Sequence, residues 1–245
     1  MNAFAKASGV AAVAILLGAT PALGETGDWS APADATGRWE VVDPELTARF
    51  YAPGTRYAIP HVGIVGGNAV LYPSVRRFVE VVATLRAGTT VMYDPEPWGN
   101  TPRWEQTHPR RSMRRFVRIA HEHGLRAVLA PARGLAGPDP LCRVFVRCGY
   151  LEIPADAFQL QAQKLECNLD RFRRFVENAE RRSASPLIVQ LTVAWNDPCV
   201  TPRAVRDAWS AARPWADSFA LWSRWGDPQG LESLRLIAAA QDAAA

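Results

Sequence analysis

The sequence predicts an α/β protein folded as a (β/α) barrel of the TIM type. An incomplete or irregular barrel is the alternative. From residue 57 onward, short apolar runs rich in β-branched residues alternate with longer segments of helical period. The connections are short, which favours parallel strands. Polar side chains also follow several of the apolar runs, at the strand ends where barrels build their sites.

Six runs are predicted to be strands, and they are apolar on both faces, as strands covered by helices are. They span residues 57–65, 89–95, 125–131, 157–163, 187–193 and 219–225. A complete eightfold barrel needs two more elements, for which residues 38–56 and 141–156 are the candidates. The rival architecture, an open doubly wound sheet, usually has a GxGxxG turn, and Gly63, Gly66 and Gly67 lack that spacing.

Apolar residues three and four positions apart predict amphipathic helices between most of these strands. The core-facing sets are Val75, Phe78, Val79, Val82 and Leu85; Met113, Phe116, Val117 and Ala120; Leu169, Phe172, Phe175, Val176 and Ala179; and Val205, Ala208, Trp209 and Ala212. Thr201-Pro202 and Asp227-Pro228 each predict a helix start, with a capping oxygen followed by proline. Gly124 predicts a helix end in the left-handed conformation.

The first 24 residues have the layout of a secretory signal peptide, with one lysine, a short apolar run and the small-residue stretch Ala22-Leu23-Gly24. We therefore expect an exported protein with a single domain over residues 25–245, a monomer with no membrane segment after cleavage. The net charge is +4, and 24 acidic residues are interspersed among 28 basic ones. This mixture does not predict nucleic-acid binding.

The four cysteines fit an oxidising compartment. Of the three possible pairings we favour Cys142 with Cys148 and Cys167 with Cys199, which closes a short loop and ties two successive strand-end loops together. A zinc site is the rival, but the chain has no CxxC and its four histidines show no matching spacing. We expect neither a metal nor a cofactor.

The segment VMYDPEPWGN, residues 91–100, holds the candidate catalytic residues Asp94 and Glu96. In an extended strand Met92, Asp94 and Glu96 share one face, so if Met92 points into the barrel both carboxylates lie at its mouth. Two carboxyls about 6 to 7 Å apart in a low-dielectric pocket push their pKa values apart. One then protonates a leaving group while the other steadies charge. The alternative is a solvated Asp-Pro turn.

Other polar or aromatic residues at predicted strand ends are candidate substrate-binding groups, because amides hydrogen-bond sugar hydroxyls and indoles stack on sugar rings. These residues are Trp98, Arg133, Gln161, Gln163, Gln190, Trp222 and Arg224. Gln159, Gln161 and Gln163 alternate along one strand face, and a buried row of amides needs polar partners. Arg133 could instead pair with Asp94, bind an anionic group or face solvent.

The strand-end pair Asp94 and Glu96, preceded by an apolar run and Tyr93, resembles the last part of the DxxDxDxE motif of family 18 glycoside hydrolases. The motif's earlier aspartates have no counterpart in this chain. The resemblance implies a barrel in which Glu96 is the general acid. It implies that Asp94 is the partner that orients the acetamido group of the substrate, which itself attacks the anomeric carbon.

These features predict an exported glycoside hydrolase-like protein that acts on a polysaccharide or cell-wall glycan by carboxylate acid/base catalysis. The alternative is a non-catalytic barrel that binds glycan or a protein partner. A third reading is a structural exported protein in which the two acids form a turn. All three depend on whether Asp94 and Glu96 enter a shared hollow.

Overall fold

The computed structural model describes residues 29–51, 56–58, 69–136, 144–193, 199–223 and 227–244. The predicted signal peptide, Cys142 and Arg224 lie outside these residues.

All of the described strands belong to one parallel sheet, in which neighbours in sequence are neighbours in space. Its strands are β1 Ala31–Pro32, β2 Arg56–Ala58, β3 Ala69–Tyr72, β4 Thr90–Tyr93, β5 Arg126–Leu129, β6 Ala157–Gln161, β7 Leu187–Val193 and β8 Ser218–Ser223. A parallel bridge between Ser30 and Ala220 brings the two outermost strands together, and the amide of Leu221 donates to the Ser30 carbonyl at 3.0 Å. The sheet is therefore curled.

Helices flank this sheet, as expected for parallel strands. They are α1 Ala33–Val42, α2 Pro44–Phe50, α3 Val75–Val81, α4 Arg103–Thr107, α5 Pro109–Glu122, α6 Leu169–Glu180, α7 Pro202–Ala212 and α8 Pro228–Asp242. Within the described part of the chain, every helix is too short or too polar to cross a lipid bilayer.

The predicted α/β class and the parallel sheet flanked by helices are confirmed, and the architecture is a partial (β/α) barrel. Strands β3 to β8 form its regular portion, whereas β1 and β2 have only two and three residues. The expectation that residues 38–56 and 141–156 supply the missing strands is wrong. The first range is mostly helical, and within the described part of the second a 3₁₀ turn, Phe145–Arg147, replaces a strand. Strand β3 was not predicted, because its four residues follow a glycine-rich segment that reads as loop.

The buried side chains form two layers, one on each face of the sheet. The larger lies between strands and helices and includes Val91, Tyr93, Leu129 and Phe158. The smaller lies inside the curl of the sheet, where Ala69, Leu71, Met92, Val128, Ala130 and Ala157 pack with Ile188 and Trp222. Small side chains at several of these inner positions leave room for the polar residues that share this face.

The helix boundaries follow the predicted capping residues. Thr201 Oγ1 accepts from the amide of Ala204 at 3.2 Å, and Asp227 Oδ1 accepts from that of Gln229 at 2.8 Å. Gly124 has a φ of +67° and ends the region of α5 as predicted. Two predicted core positions are wrong, since Val79 is 42% exposed and Leu169 is 40% exposed. Leu169 is the first residue of α6, and Val79 follows the buried Phe78 on the outer side of α3.

The contact between α1 and α8 requires a glycine. A Cβ built at Gly230 overlaps the indole ring of Trp39, which is fully buried. We expect Gly230→Ala to lower the free energy of unfolding by about 1 to 3 kcal/mol through overpacking. Gly37→Ala is the matched control, because a Cβ there meets nothing within 4 Å and alanine in a helix is favoured by about 0.5 to 1 kcal/mol. Urea denaturation that shows equal effects for both variants would contradict this assignment.

Candidate active site

The backbone after β4 stays extended and carries the first acid into the curl of the sheet. The amide of Asp94 donates to the Tyr72 carbonyl at 3.0 Å, and the amide of Ala132 donates to the Pro95 carbonyl at 3.1 Å. These bonds continue the ladder past the end of β4, so side chains keep alternating. Met92 packs in the inner layer, and Asp94, two residues on, lies on the same face.

A side-chain amide of β6, two strands away from β4, holds Asp94 in position. Gln161 Nε2 donates to Asp94 Oδ1 at 2.6 Å and to the Ala130 carbonyl at 2.6 Å. The side chain of Gln161 is only 4% exposed, so this bond is shielded from water. Two of the residues predicted for the site, on strands separated by β5, are therefore in direct contact.

Burial is the main influence on the protonation of Asp94. It raises the pKa of this carboxyl well above its ordinary value, and the nearby charge of Glu96 raises it further. The hydrogen bond from Gln161 opposes these effects by favouring the carboxylate. Asp94 therefore releases its proton at a higher pH than a free aspartic acid does.

Glu96 is partly buried, and burial raises its pKa to about 7. A hydrogen bond from the side chain of Trp98 opposes this shift. The backbone of Glu96 is fixed by Thr101, whose hydroxyl accepts from the Glu96 amide at 2.9 Å and donates to the Pro73 carbonyl at 2.8 Å. Gln106 then pins the loop by donating to the carbonyls of Trp98 and Thr101.

The pair has the properties that acid catalysis near neutral pH requires. A general acid works best when its pKa lies near the working pH, and Glu96 meets this condition. Asp94 lies deeper and is held in a fixed position by Gln161. Burial, and not an ion pair, is the main influence on the pKa of both carboxyls, and it raises both values. Such shifts are more typical of functional sites than of surface turns.

The remaining amides have different surroundings. Gln159 Nε2 donates to Gln190 Oε1 at 2.6 Å, and Ser30 Oγ donates to Gln159 Oε1 at 3.4 Å. This chain of bonds connects β6, β7 and the residue before β1 inside the curl. Gln190 thus bonds Gln159, although it is paired directly with Gln161 across β6 and β7.

Arg133 and Gln163 lie beside each other, toward α6. The Arg133 guanidinium donates to the Gln163 carbonyl, and it lies 5.7 Å from the ring centroid of Phe175. In the described part of the chain Arg133 makes no ion pair with Asp94. Burial lowers the pKa of Arg133, and the charge of Glu166 partly offsets that effect.

Glu166 is a third buried acid, which the sequence reasoning missed. It lies in the loop between β6 and α6, is 2% exposed, and burial raises its pKa to about 7. Its Oε1 accepts from the Thr192 amide at 3.0 Å. Lys164, with a φ of 65°, turns this loop so that its own amide also contributes a hydrogen bond to Glu166. The signal in the sequence was an acid placed between an amide-rich strand and a predicted disulfide.

Three buried polar atoms on this side of the curl have no hydrogen-bond partner among the described residues. They are Glu166 Oε2, Thr192 Oγ1 and Trp222 Nε1. Thr192 and Trp222 are directly paired across β7 and β8, and Glu166 already contacts the amide of Thr192. Buried polar groups are rarely left unpaired, so a hydroxyl, an indole N–H and a carboxyl here are available to a polar ligand.

The predicted indoles differ in exposure. Trp98 is 54% exposed in the turn after Glu96, whereas Trp222 is partly buried against the inner layer. Arg224 lies outside the described residues. In the described residues no group of three His, Cys, Asp or Glu side chains is placed to hold a metal ion.

A disulfide joins the loop that carries Glu166 to the loop after β7. Cys167 and Cys199 are bonded, with their Cα atoms 5.5 Å apart, so this predicted pairing is confirmed. The second predicted pairing involves Cys142, which lies outside the described residues.

Removal of this disulfide tests its contribution to stability. We expect the double variant Cys167→Ser, Cys199→Ser to lose about 2 to 4 kcal/mol of unfolding free energy, because the unfolded chain regains the entropy of an open loop. Guanidinium denaturation of both proteins under oxidising conditions gives the difference. Identical denaturation midpoints for the two proteins would show that the disulfide does not change the free energy of unfolding.

No protein-family model matches this chain, and no curated protein sequence does. The features that bear on function are therefore in the side chains: the raised pKa values of Asp94 and Glu96, the bond from Gln161 to Asp94, and the buried groups around Glu166.

Proposed function

We propose that this protein is an exported glycoside hydrolase-like enzyme that acts on a polysaccharide or cell-wall glycan, with Glu96 as the general acid and Asp94 as its supporting partner. The observation that carries the proposal is a pair of partly buried carboxyls after β4, of which Asp94 is held by Gln161 at 2.6 Å, and burial raises the pKa of Glu96 to about 7. A carboxyl in this state is protonated often enough at neutral pH to act as an acid.

The chemistry requires one proton transfer in each direction. Glu96 donates its proton to the glycosidic oxygen as the bond from that oxygen to the anomeric carbon breaks. Water then adds its hydroxyl to the anomeric carbon, and the remaining proton returns to Glu96. Asp94, positioned by Gln161, supports the substrate group next to the anomeric carbon.

A glycan is supported as the substrate by the types of groups around the acids. Sugar hydroxyls both donate and accept hydrogen bonds, and the unpaired atoms of Glu166, Thr192 and Trp222 offer both functions. The exposed indole of Trp98 offers a face for a sugar ring next to Glu96. The resemblance of Asp94 and Glu96 to the family 18 motif points to the same class of reaction.

Export is part of the proposal. The signal-like residues 1–24 and the disulfide between Cys167 and Cys199 support an oxidising destination.

A panel of polysaccharides and cell-wall preparations tests the activity, with release of reducing ends as the readout. We expect the protein to release reducing ends from at least one of these glycans, and we expect Asp94→Asn to slow that release. If every glycan in the panel stays intact, the enzymatic proposal is wrong.

A non-catalytic glycan-binding barrel is the second candidate. The observation that favours it is the hydrogen bond from the Trp98 side chain to Glu96, which a leaving group would have to displace. Retention on insoluble glycan without release of reducing ends would support this candidate over the first.

A further inference from the structure

A cavity of about 570 Å³ opens at the carboxyl end of β3, next to the loop that carries Glu96. Its apolar wall includes Tyr72 and Pro73, and Arg76 and Arg77 of α3 line its other side together with Gly99 and Asn100. Ligand sites are commonly roughly 300 to 1,000 Å³ in volume. The Thr101 hydroxyl joins the Pro73 carbonyl to the backbone amide of Glu96, so the cavity adjoins the loop that carries this acid.

A second groove of about 370 Å³ continues from this cavity along the outer helices. The two share Arg76 and Glu80, and the groove adds Val79, Trp104 and Arg115. Trp104 is 45% exposed and stacks on His108 with ring centroids 4.8 Å apart. We call the cavity and the groove together the arginine track.

The helices that border the arginine track hold an excess of positive charge. Helices α3, α4 and α5 contain eight arginines and three glutamates, a net charge of +5, whereas the entire chain carries +4. The positive charge of the protein is therefore concentrated on this side. A surface with this excess of positive charge attracts anions, and its arginines repel one another when no anion is bound.

The three glutamates neutralise little of this charge. Glu105 is buried and accepts from Tyr93 Oη at 2.6 Å and from the Val75 amide at 3.0 Å, so it serves the fold. Glu80 and Glu122 each pair with one arginine of their own helix. Four further arginines of these helices are exposed and contact no aromatic ring: Arg77, Arg103, Arg114 and Arg115. Among the described residues, no acidic side chain lies within ion-pair distance of them.

We propose that the arginine track binds an anionic glycan, a polysaccharide that carries carboxylate or phosphate groups, with one anionic unit in the cavity next to the loop that carries Glu96. This inference rests on the proposed function and specifies its substrate class. Guanidinium groups bind carboxylate and phosphate oxygens with two parallel hydrogen bonds. The ring of Trp104 already contacts His108 and Arg111, and the part of it that is exposed adds apolar surface to the track.

Binding to polygalacturonate, to a glycerol-phosphate teichoic acid and to neutral dextran tests the inference by isothermal titration calorimetry. The Glu96→Gln variant is used throughout, so that no polymer is hydrolysed during the measurement. We expect binding to at least one anionic polymer, with weaker affinity at higher salt, and no binding to dextran. The polymer that binds identifies the anionic group.

Two variants with the same change of charge locate the site. The first triple variant removes three arginines of the arginine track: Arg76→Gln, Arg77→Gln and Arg115→Gln. The second removes three exposed arginines in and just after α6: Arg173→Gln, Arg174→Gln and Arg182→Gln. We expect the first to weaken binding at least tenfold and the second less than twofold.

Equal losses in the two variants, tighter binding to duplex DNA than to either polymer, or no binding to the anionic polymers would overturn the inference. These outcomes are independent of hydrolysis. Cleavage of a neutral glycan without affinity for the anionic polymers would reject the arginine track and leave the proposed function standing. If the anionic polymers bind to the arginine track but no glycan is cleaved, the binding inference stands and the proposed function is wrong.

Discussion

Glu96→Gln is expected to lower kcat by about 100- to 10,000-fold, the range over which a positioned general acid contributes. Glutamine keeps the shape of the side chain and can still accept from Trp98, but it has no proton to give to a leaving group. Because Glu96 makes no ion pair in the described structure and burial penalises its charged form, the melting temperature should be unchanged in acid and unchanged or higher at neutral pH. The measurement is initial rate on the glycan that the panel identifies.

Glu180→Gln provides the control for this variant, since Glu180 is exposed at the end of α6, away from the strand ends. It should keep full activity. A Glu96→Gln protein that is as active as the wild type would remove Glu96 from the mechanism.

The same assignment fixes the pH dependence of activity. A general acid with a pKa of about 7 is protonated below that value, so kcat/KM should fall as the pH rises through 7. In the Glu96→Gln variant the residual rate should lack this fall.

Stability is expected to decrease as the pH rises from about 4.5 to 7, and Glu166 should be a main cause. Its pKa rises from 4.5 in the unfolded chain to about 7 in the folded protein, because burial penalises the charged form. The folded state thus holds a proton that the unfolded state has released, and this contribution is full below the unfolded pKa and lost above the folded one. A shift of this size corresponds to about 3 kcal/mol. Asp94 and Glu96 act in the same direction.

Urea denaturation of the wild type and Glu166→Gln at pH 5 and pH 8 measures this effect. Glutamine can still accept from the Thr192 amide but is never charged, so the variant should lose less stability between the two pH values. A variant whose unfolding free energy falls as steeply as that of the wild type would show that Glu166 is not the group responsible.

Much of the sheet could be predicted, because each strand from β4 to β8 is a run of apolar residues long enough to stand out between turns. Strand β7 matches its predicted bounds, Leu187–Val193. Helix α5 was equally clear, since Met113, Phe116 and Ala120 share one face and are fully buried. These elements are determined by local periodicity, which the sequence displays directly.

What could not be predicted depends on contacts between distant segments. Strand β3 is defined by its pairing with β2 and β4 and not by its own four residues. Asp94 and Gln161 were both candidates, but only the register across β5 shows that they touch. Glu166 had no motif of its own, and its burial results from the packing of its loop on β7.

The bridge between Ser30 and Ala220 sets an order on folding. It joins two segments from opposite ends of the described chain, so its loop-closure entropy is among the largest in the protein. A nascent polypeptide cannot form this seam until its last strand has left the ribosome, and until then the first and last strands both present unpaired backbone to neighbouring molecules. Synthesis of nearly the whole described chain is therefore required before these two edges are protected by pairing with each other.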